Sequence, residues 1–409
     1  MSLSRTILAR APLAWVLGAW LAWDAPAAAN VITDWDEKAV ALVPPSPAGE
    51  RIMALVHVAM FDAVNSIGHR YRPYLVQLGA TADASKESAA ASAAAAILAA
   101  QPGQDAGAIR AALASYLASI ADGPGKAEGI KLGEAVAAKV LAARANDGGD
   151  APDDYRPETR PGRYVPTALT VGSTWPRMRP FALAEASQFR APPPVALTSP
   201  EWAAAYNEIK DYGGKTSTKR SPQQTETARF WLMVGPPAYH PVARQIARAK
   251  GMDAIDTARL MALYSVALTD AYIAVFDSKY HYQFWRPLTA IRNGDIDDNP
   301  ATTREPTWSP IDTTPMHPEY PCAHCIESGA ATAVLEAMLG SNDIPEVAMT
   351  SATAAGVTHR WTSLRDFADE IAEARIWAGF HYRFSTVVGR DMGQRIGRYV
   401  VRNVMQVAK

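Results

Sequence analysis

Residues 254 to 283 carry Leu260, Leu263, Tyr264, Ala267, Leu268, Ala271 and Val275 at the helical period. That spacing predicts one long amphipathic helix, about 45 Å from end to end. A helix of this length buries its stripe against other helices, and the rest of the chain supplies them. Residues 48 to 65 repeat the pattern through Ile52, Leu55, Val56, Ala59, Met60 and Val64. Residues 84 to 100 are alanine-rich, and Ile97 and Leu98 mark them as a packed helix in a tight interface. Further helices are predicted over 105 to 121, 126 to 146, from Ser199-Pro200 and Ser221-Pro222, over 325 to 339, from Ser363 to about Arg383, and over 386 to 406. No period-2 run calls for a sheet. The expected fold class is all-α.

Two segments depart from that pattern. Residues 151 to 198 hold Pro152, Pro157, Pro161, Pro166, Pro176, Pro180 and Pro192 to Pro194, which exclude long helices. This stretch is read as a connector between an N-terminal lobe, 30 to 150, and a C-terminal lobe, 199 to 409. Trp175, Phe181 and Phe189 imply that it packs on the protein surface. Residues 1 to 29 combine Arg5 and Arg10, an apolar run from Ala11 to Trp23, and small residues at Ala25, Ala27 and Ala29. That is the pattern of a secretory leader, predicting a periplasmic or secreted protein with no membrane span after cleavage. The 40 basic residues nearly balance 41 acidic ones, which argues against a nucleic-acid partner. With 48% of residues apolar and only two cysteines, apolar packing holds the fold together.

Three clusters of residues carry chemistry. Lys279 and Arg286 are seven apart. On a continuous helix both project from nearly one face and converge on one anion, unless they are a solvated lysine and a helix-capping arginine. The segment His317-Pro318-Glu319-Tyr320-Pro321-Cys322-Ala323-His324-Cys325 enters a helix whose free N–H groups suit an oxyanion. His324 there serves as acid or base near neutral pH, or as a hydrogen-bonded packing residue. Arg375 and His381 are six apart, so on a helix they diverge by about 120°. Arg375 either reaches round to His381 or pairs with Asp366, Asp369, Glu370 or Glu373.

Taken in order, Lys279-x6-Arg286-Pro287, Pro321-Cys322-Ala323-His324 and Ala374-Arg375-x5-His381-x3-Ser385 resemble the signature of the type-2 phosphatidic acid phosphatase and vanadium haloperoxidase superfamily, Lys-x6-Arg-Pro, Pro-Ser-Gly-His and Ser-Arg-x5-His-x3-Asp. The flanks Phe284 to Ile291, His317 to Pro321 and His57 to Asn65 are similar to its exported bacterial haloperoxidase-like branch. The resemblance implies two packed helical bundles. It implies that Lys279, Arg286 and Arg375 neutralise the oxygens of a bound vanadate or phosphate, with Cys322 and Ala323 at the oxyanion turn. His381 would be the axial partner, a ligand to vanadium or a nucleophile forming phosphohistidine, and His324 the acid–base group. The leading expectation is a vanadium-dependent haloperoxidase acting on peroxide and halide. The alternatives are an exported acid phosphatase acting on a phosphate monoester through His381, and a retired site that only binds phosphate or scaffolds. A membrane-embedded lipid phosphatase is set aside. No oligomeric state follows.

Three departures bear on this reading. Cys322, Ala323 and Ser385 stand where the pattern has Ser, Gly and Asp. A thiol is a weaker donor than a hydroxyl. A methyl at 323 is tolerated only if φ is negative and the N–H still points inward. Orientation of His381 falls to a hydroxyl or to another group. Cys322 and Cys325 have three open readings: a disulfide, two free thiols, or a zinc half-site with His324 or His317.

Overall fold

The computed structural model describes residues 30–149 and 151–408. The leader read over residues 1–29 lies outside the described residues. Among those described, the regular structure is thirteen α-helices and one β-hairpin, with two short 3-10 turns. The helices are α1 (Val31–Leu42), α2 (Pro47–Gly68), α3 (Lys86–Ala99), α4 (Ala106–Ala118), α5 (Pro124–Arg144), α6 (Pro200–Gly213), α7 (Pro222–Phe230), α8 (Pro236–Ala249), α9 (Ala254–Tyr282), α10 (Pro287–Arg292), α11 (Ala323–Leu339), α12 (Leu364–Trp377) and α13 (Arg383–Asn403). Six of them begin on a proline, whose missing N–H costs nothing in the first turn. Ser199, Ser221 and Ser363 cap α6, α7 and α12 through their side chains.

These helices form two packed bundles. In the first, α2 packs on α3 and α5, and α3 on α4 and α5; in the second, α11 packs on α9, α12 and α13. The expected amphipathic helix is apolar on all sides. In α9 every residue from Leu260 to Lys279 is buried, because α2 covers one side and α11 and α13 cover the other. By length and composition α9 could cross a bilayer, which was expected of no segment beyond the leader; its most apolar stretch is wholly buried inside the protein. Its buried carboxylates are met by the Pro-rich segment lying along it. Asp270 accepts the N–H groups of Phe181, Ala182 and Leu183 at 2.6, 2.7 and 2.9 Å. Asp277 pairs with Arg190 at 2.7 Å.

The α11–α13 contact fixes where α11 begins, and therefore where the oxyanion turn sits. A side chain at Gly393 of α13 would place its Cβ 2.0 Å from the Ile326 carbonyl of α11, so only glycine allows this approach.

The sheet-free expectation is corrected. Strands β1 (Asp343–Ser351) and β2 (Ala354–Ser363) form an antiparallel hairpin. Its alternation is weak in sequence because Pro345 breaks the ladder between Asp343 and Val347, and because only Trp361 of β2 is buried. The hairpin tip is tied to the end of α7, where Ser351 donates to the Phe230 carbonyl at 2.8 Å.

A buried ion network joins α1, α2 and α8. Asp36 Oδ1 accepts from His57 Nε2 at 3.0 Å and His240 Nδ1 at 2.7 Å, and Asp36 Oδ2 accepts from Arg244 at 2.6 Å. The second nitrogen of His240 donates to Glu50 at 3.1 Å. Two carboxylates thus face Arg244 and a doubly protonated His240, so protein groups balance the charge. Burial works against the imidazolium, but Asp36 and Glu50 outweigh it and raise His240 to about 9. A raised histidine pKa contributes stability below its unfolded value near 6.5, and that stability is lost as pH rises through 9. The shift corresponds to about 3 kcal/mol. Unfolding free energies from denaturant titrations at pH 7 and pH 10 are expected to differ by about that amount in the parent and by clearly less in His240→Gln. Equal pH dependence in both would remove His240 from the account.

Candidate active site

Lys279 lies in the last turn of α9. The helix stops at Gln283, which takes a left-handed φ of 50° and sends its N–H to the Lys279 carbonyl. Arg286 is the cap residue of α10. The seven-residue spacing is therefore not one helical face, as expected, but two elements folded together across a turn. Both side chains are buried, at 0% and 1% exposure, which excludes a solvated lysine and a surface arginine. Lys279 Nζ donates to the carbonyls of Pro318 and Glu319 at 3.0 and 2.7 Å. Arg286 donates from Nε to the His317 carbonyl at 2.8 Å, from Nη1 to the Phe380 carbonyl at 2.9 Å and His381 Nε2 at 3.3 Å, and from Nη2 to His317 Nδ1 at 2.9 Å.

The second motif runs through a cis Tyr320–Pro321 bond into α11. This helix begins at Ala323, two residues earlier than expected, with Cys322 as its cap. Cys322 and Cys325 are joined in a disulfide, which selects one of the three readings of the pair. Cys322 Sγ accepts the Cys325 N–H at 3.2 Å and carries no hydrogen to donate to an oxyanion. Ala323 has ordinary helical φ, so its methyl is tolerated. Its N–H and that of His324 lie in the first turn, where an α-helix offers no internal acceptor. His324 Nε2 donates to the Met233 carbonyl at 2.9 Å, leaving Nδ1 as the basic nitrogen.

The helix expected to run on to Arg383 ends at Trp377, and Gly379 turns the chain with a φ of +79°. A side chain there would also meet the Gly213 carbonyl at 2.4 Å. The turn cancels the helical divergence of Arg375 and His381 and sets both on one cavity. Arg375 pairs with no carboxylate among the described residues. Its Nη1 donates to the Trp231 carbonyl at 2.5 Å, its guanidinium lies 4.9 Å from the Phe380 ring centre, and its Nε is buried without a partner.

Two further residues, named in the second segment but given no part in the oxyanion site, belong beside these. Glu319 Oε1 accepts His381 Nδ1–H at 2.7 Å and the Tyr382 N–H at 3.2 Å. His317 shares its Nδ1 with Arg286 and stands on the cavity wall. The one sequence signal for Glu319 was an acid in a tight Pro-rich loop between two motif residues.

The cavity encloses about 660 Å³, and His317, His324, Arg375 and His381 face it among apolar walls that include Phe276 and Phe380. Lys279, Arg286 and Cys322 stand behind that wall. Burial holds Lys279 well below its usual pKa, with Arg286 adding to the effect. Burial also pulls Arg286 down to about 10 and Arg375 to about 9. His324 and His381 are pushed well below the usual imidazole range, first by burial and then by the three cations. Glu319 is raised by burial to about 7 against the pull of Lys279 and Arg286. An anion entering the cavity would oppose each of the cationic shifts. Three buried cations against one carboxylate, with an unpaired Arg375 Nε, fit a tetrahedral oxyanion. Arg286 would have to exchange His317 and His381 Nε2 for it.

The disulfide suggests a direct measurement. In Cys322→Ser/Cys325→Ala a hydroxyl returns to the oxyanion turn, and orthovanadate or phosphate should bind about tenfold more tightly by calorimetry. Unchanged affinity would mean that residue 322 does not face the anion.

Comparison with known proteins follows the same line. Residues 259–409 match a family model described as the VCPO second helical-bundle domain. Vanadium chloroperoxidase of Curvularia inaequalis is 31% identical over 179 residues, which cover 36% of this chain and 29% of that protein's length. A solved bacterial vanadium-dependent iodoperoxidase superposes with a TM-score of 0.77 at 25% identity, covering 92% of this chain and 96% of that one. The holo-type structure of a bacterial vanadium-dependent chloroperoxidase shares the fold with a TM-score of 0.72 at 18% identity, covering 91% of this chain and 98% of that one.

Proposed function

We propose, from the match of residues 259–409 to the VCPO second helical-bundle domain and the likeness to bacterial vanadium haloperoxidases, that this is an exported vanadium-dependent haloperoxidase that oxidises halide with peroxide. The observation that carries this reading is the surplus of buried positive charge around His381, above all Arg375 on the cavity, whose Nε has no partner and whose guanidinium meets no carboxylate among the described residues. Vanadate, when bound, supplies the Lewis-acid centre that activates peroxide. Lys279, Arg286 and Arg375 would hold its oxygens by charge-assisted hydrogen bonds, Lys279 and Arg286 after giving up some of their present acceptors, joined by the free N–H groups at the start of α11. His381 would hold it through Nε2, the nitrogen left without a proton by the Nδ1–H bond to Glu319. His324 takes and returns a proton at Nδ1, since its Nε2–H is committed to Met233. The Cys322–Cys325 disulfide supports an oxidising compartment and hence a periplasmic or secreted protein.

The test is a bromide-dependent peroxidase assay on the mature protein with and without added vanadate, beside hydrolysis of an aryl phosphate. Vanadate-dependent bromination is the expected result. Hydrolysis that vanadate inhibits, with no bromination, would transfer the site to phosphate chemistry.

A further inference from the structure

We propose that Glu319 is a positioning residue, which fixes His381 in the tautomer that keeps a lone pair on Nε2 and so does the work that the family pattern gives to an aspartate at position 385. This rests on the reading of His381 as the axial partner. The geometry is specific. Glu319 and His381 are separated by 62 residues, yet Oε1 meets Nδ1 at 2.7 Å with both side chains shut away from solvent. The same oxygen accepts the Tyr382 N–H, so the carboxylate is held from the backbone that carries the imidazole. The backbone carbonyl of Glu319 in turn receives Lys279 Nζ at 2.7 Å. One residue therefore sets both the rotation of His381 and its distance from the first cation of the site.

Ser385 fits the same arrangement. It lies close enough to the Glu319 carboxylate to lower its pKa, and both Ser385 Oγ and Glu319 Oε2 are buried without a hydrogen-bond partner. An aspartate at 385 would bring a second carboxylate into that buried space, where two like charges repel. The departure at 385 and the acid at 319 are thus two halves of one exchange. The carboxylate has moved from the helix after the histidine to the loop before the oxyanion turn.

The test uses the full-length apoprotein, with nitrogen NMR on isotope-labelled histidine for the tautomer and calorimetry with orthovanadate for affinity. The parent is expected to show His381 protonated at Nδ1 and bare at Nε2. Glu319→Leu should scramble the tautomer and weaken orthovanadate about 10–100-fold, with Glu319→Gln between the two because its amide oxygen still accepts the proton. Glu319→Gln/Ser385→Asp should return affinity to within about threefold of the parent, a recovery that a merely structural role would not give. The Gln variant keeps the test open should the Leu variant fail to fold. Parent-like tautomer and affinity in the Gln and Leu variants, or no recovery in the folded double variant, would overturn the proposal. A parent that binds no orthovanadate would defeat the haloperoxidase reading instead, and the tautomer would still decide the role of Glu319.

Discussion

An Arg375→Met protein is expected to be more stable than the parent when no oxyanion is present, and to bind orthovanadate at least about 100-fold more weakly. The two signs have one cause. Arg375 is 2% exposed, its nearest compensations are a backbone carbonyl and an aromatic face, and its Nε has no partner. A buried cation in that state carries its desolvation cost without an ion pair to offset it. Replacing such a group with an apolar side chain of similar length typically gains about 1–4 kcal/mol. The same guanidinium is the cation that reaches the cavity itself, because Lys279 and Arg286 stand behind the wall. Removing it takes away the most direct contact to the oxyanion. Thermal melts check both halves. The apoprotein Tm should rise in the variant, and the upward shift that vanadate gives the parent should largely disappear. A variant that melts lower and keeps its vanadate shift would mean that Arg375 is structural.

This trade also explains what could and could not be read from the sequence. The three cations and two imidazoles are legible because their spacing along the chain is fixed by the motifs. The geometry behind the spacing is not. Seven residues between Lys279 and Arg286 suggested a helical face, but Gln283 adopts a left-handed φ and ends the helix between them. Six residues between Arg375 and His381 suggested divergence, but Gly379 folds the chain back. In both cases one turn residue, unremarkable in composition, decides where a charged side chain points. Glu319 was passed over for a different reason. An acid in a Pro-rich loop ordinarily faces water, and its burial depends on a histidine 62 residues away.

At the level of the fold, the helices with strong local signals were legible. Pro-capped starts at Ser199 and Ser221 and the alanine-rich α3 needed no tertiary information. The elements that were missed rely on neighbours. Helix α8 contains Pro241 yet is held by the His240 and Arg244 ion network with α1 and α2. The β1–β2 hairpin buries little of β2 and leans on α7, α8 and α12. The departures at 322 and 323 also resolve only in three dimensions. The alanine is harmless because it sits in a helical turn, whereas the cysteine loses its donor by pairing with Cys325.

His381→Ala is expected to lower turnover of either chemistry by at least about 10³-fold, or about 4 kcal/mol in the barrier. Orthovanadate affinity should fall far less than turnover, because Lys279, Arg286 and Arg375 remain and the electrostatic part of binding does not need the imidazole. The separation between the two losses is the informative quantity. It distinguishes a group that would bond the central atom from one that only lines the site. The substitution also strands the Glu319 carboxylate in a buried site, so His381→Ala/Glu319→Gln serves as the control that removes this cost. Both variants should bind orthovanadate and both should be inactive. Turnover retained in either would move the reacting nitrogen to His324 or His317, the other imidazoles on the cavity. The free Nδ1 of His324 would make it the first of the two to replace, whereas His317 is held by Arg286 through its own Nδ1.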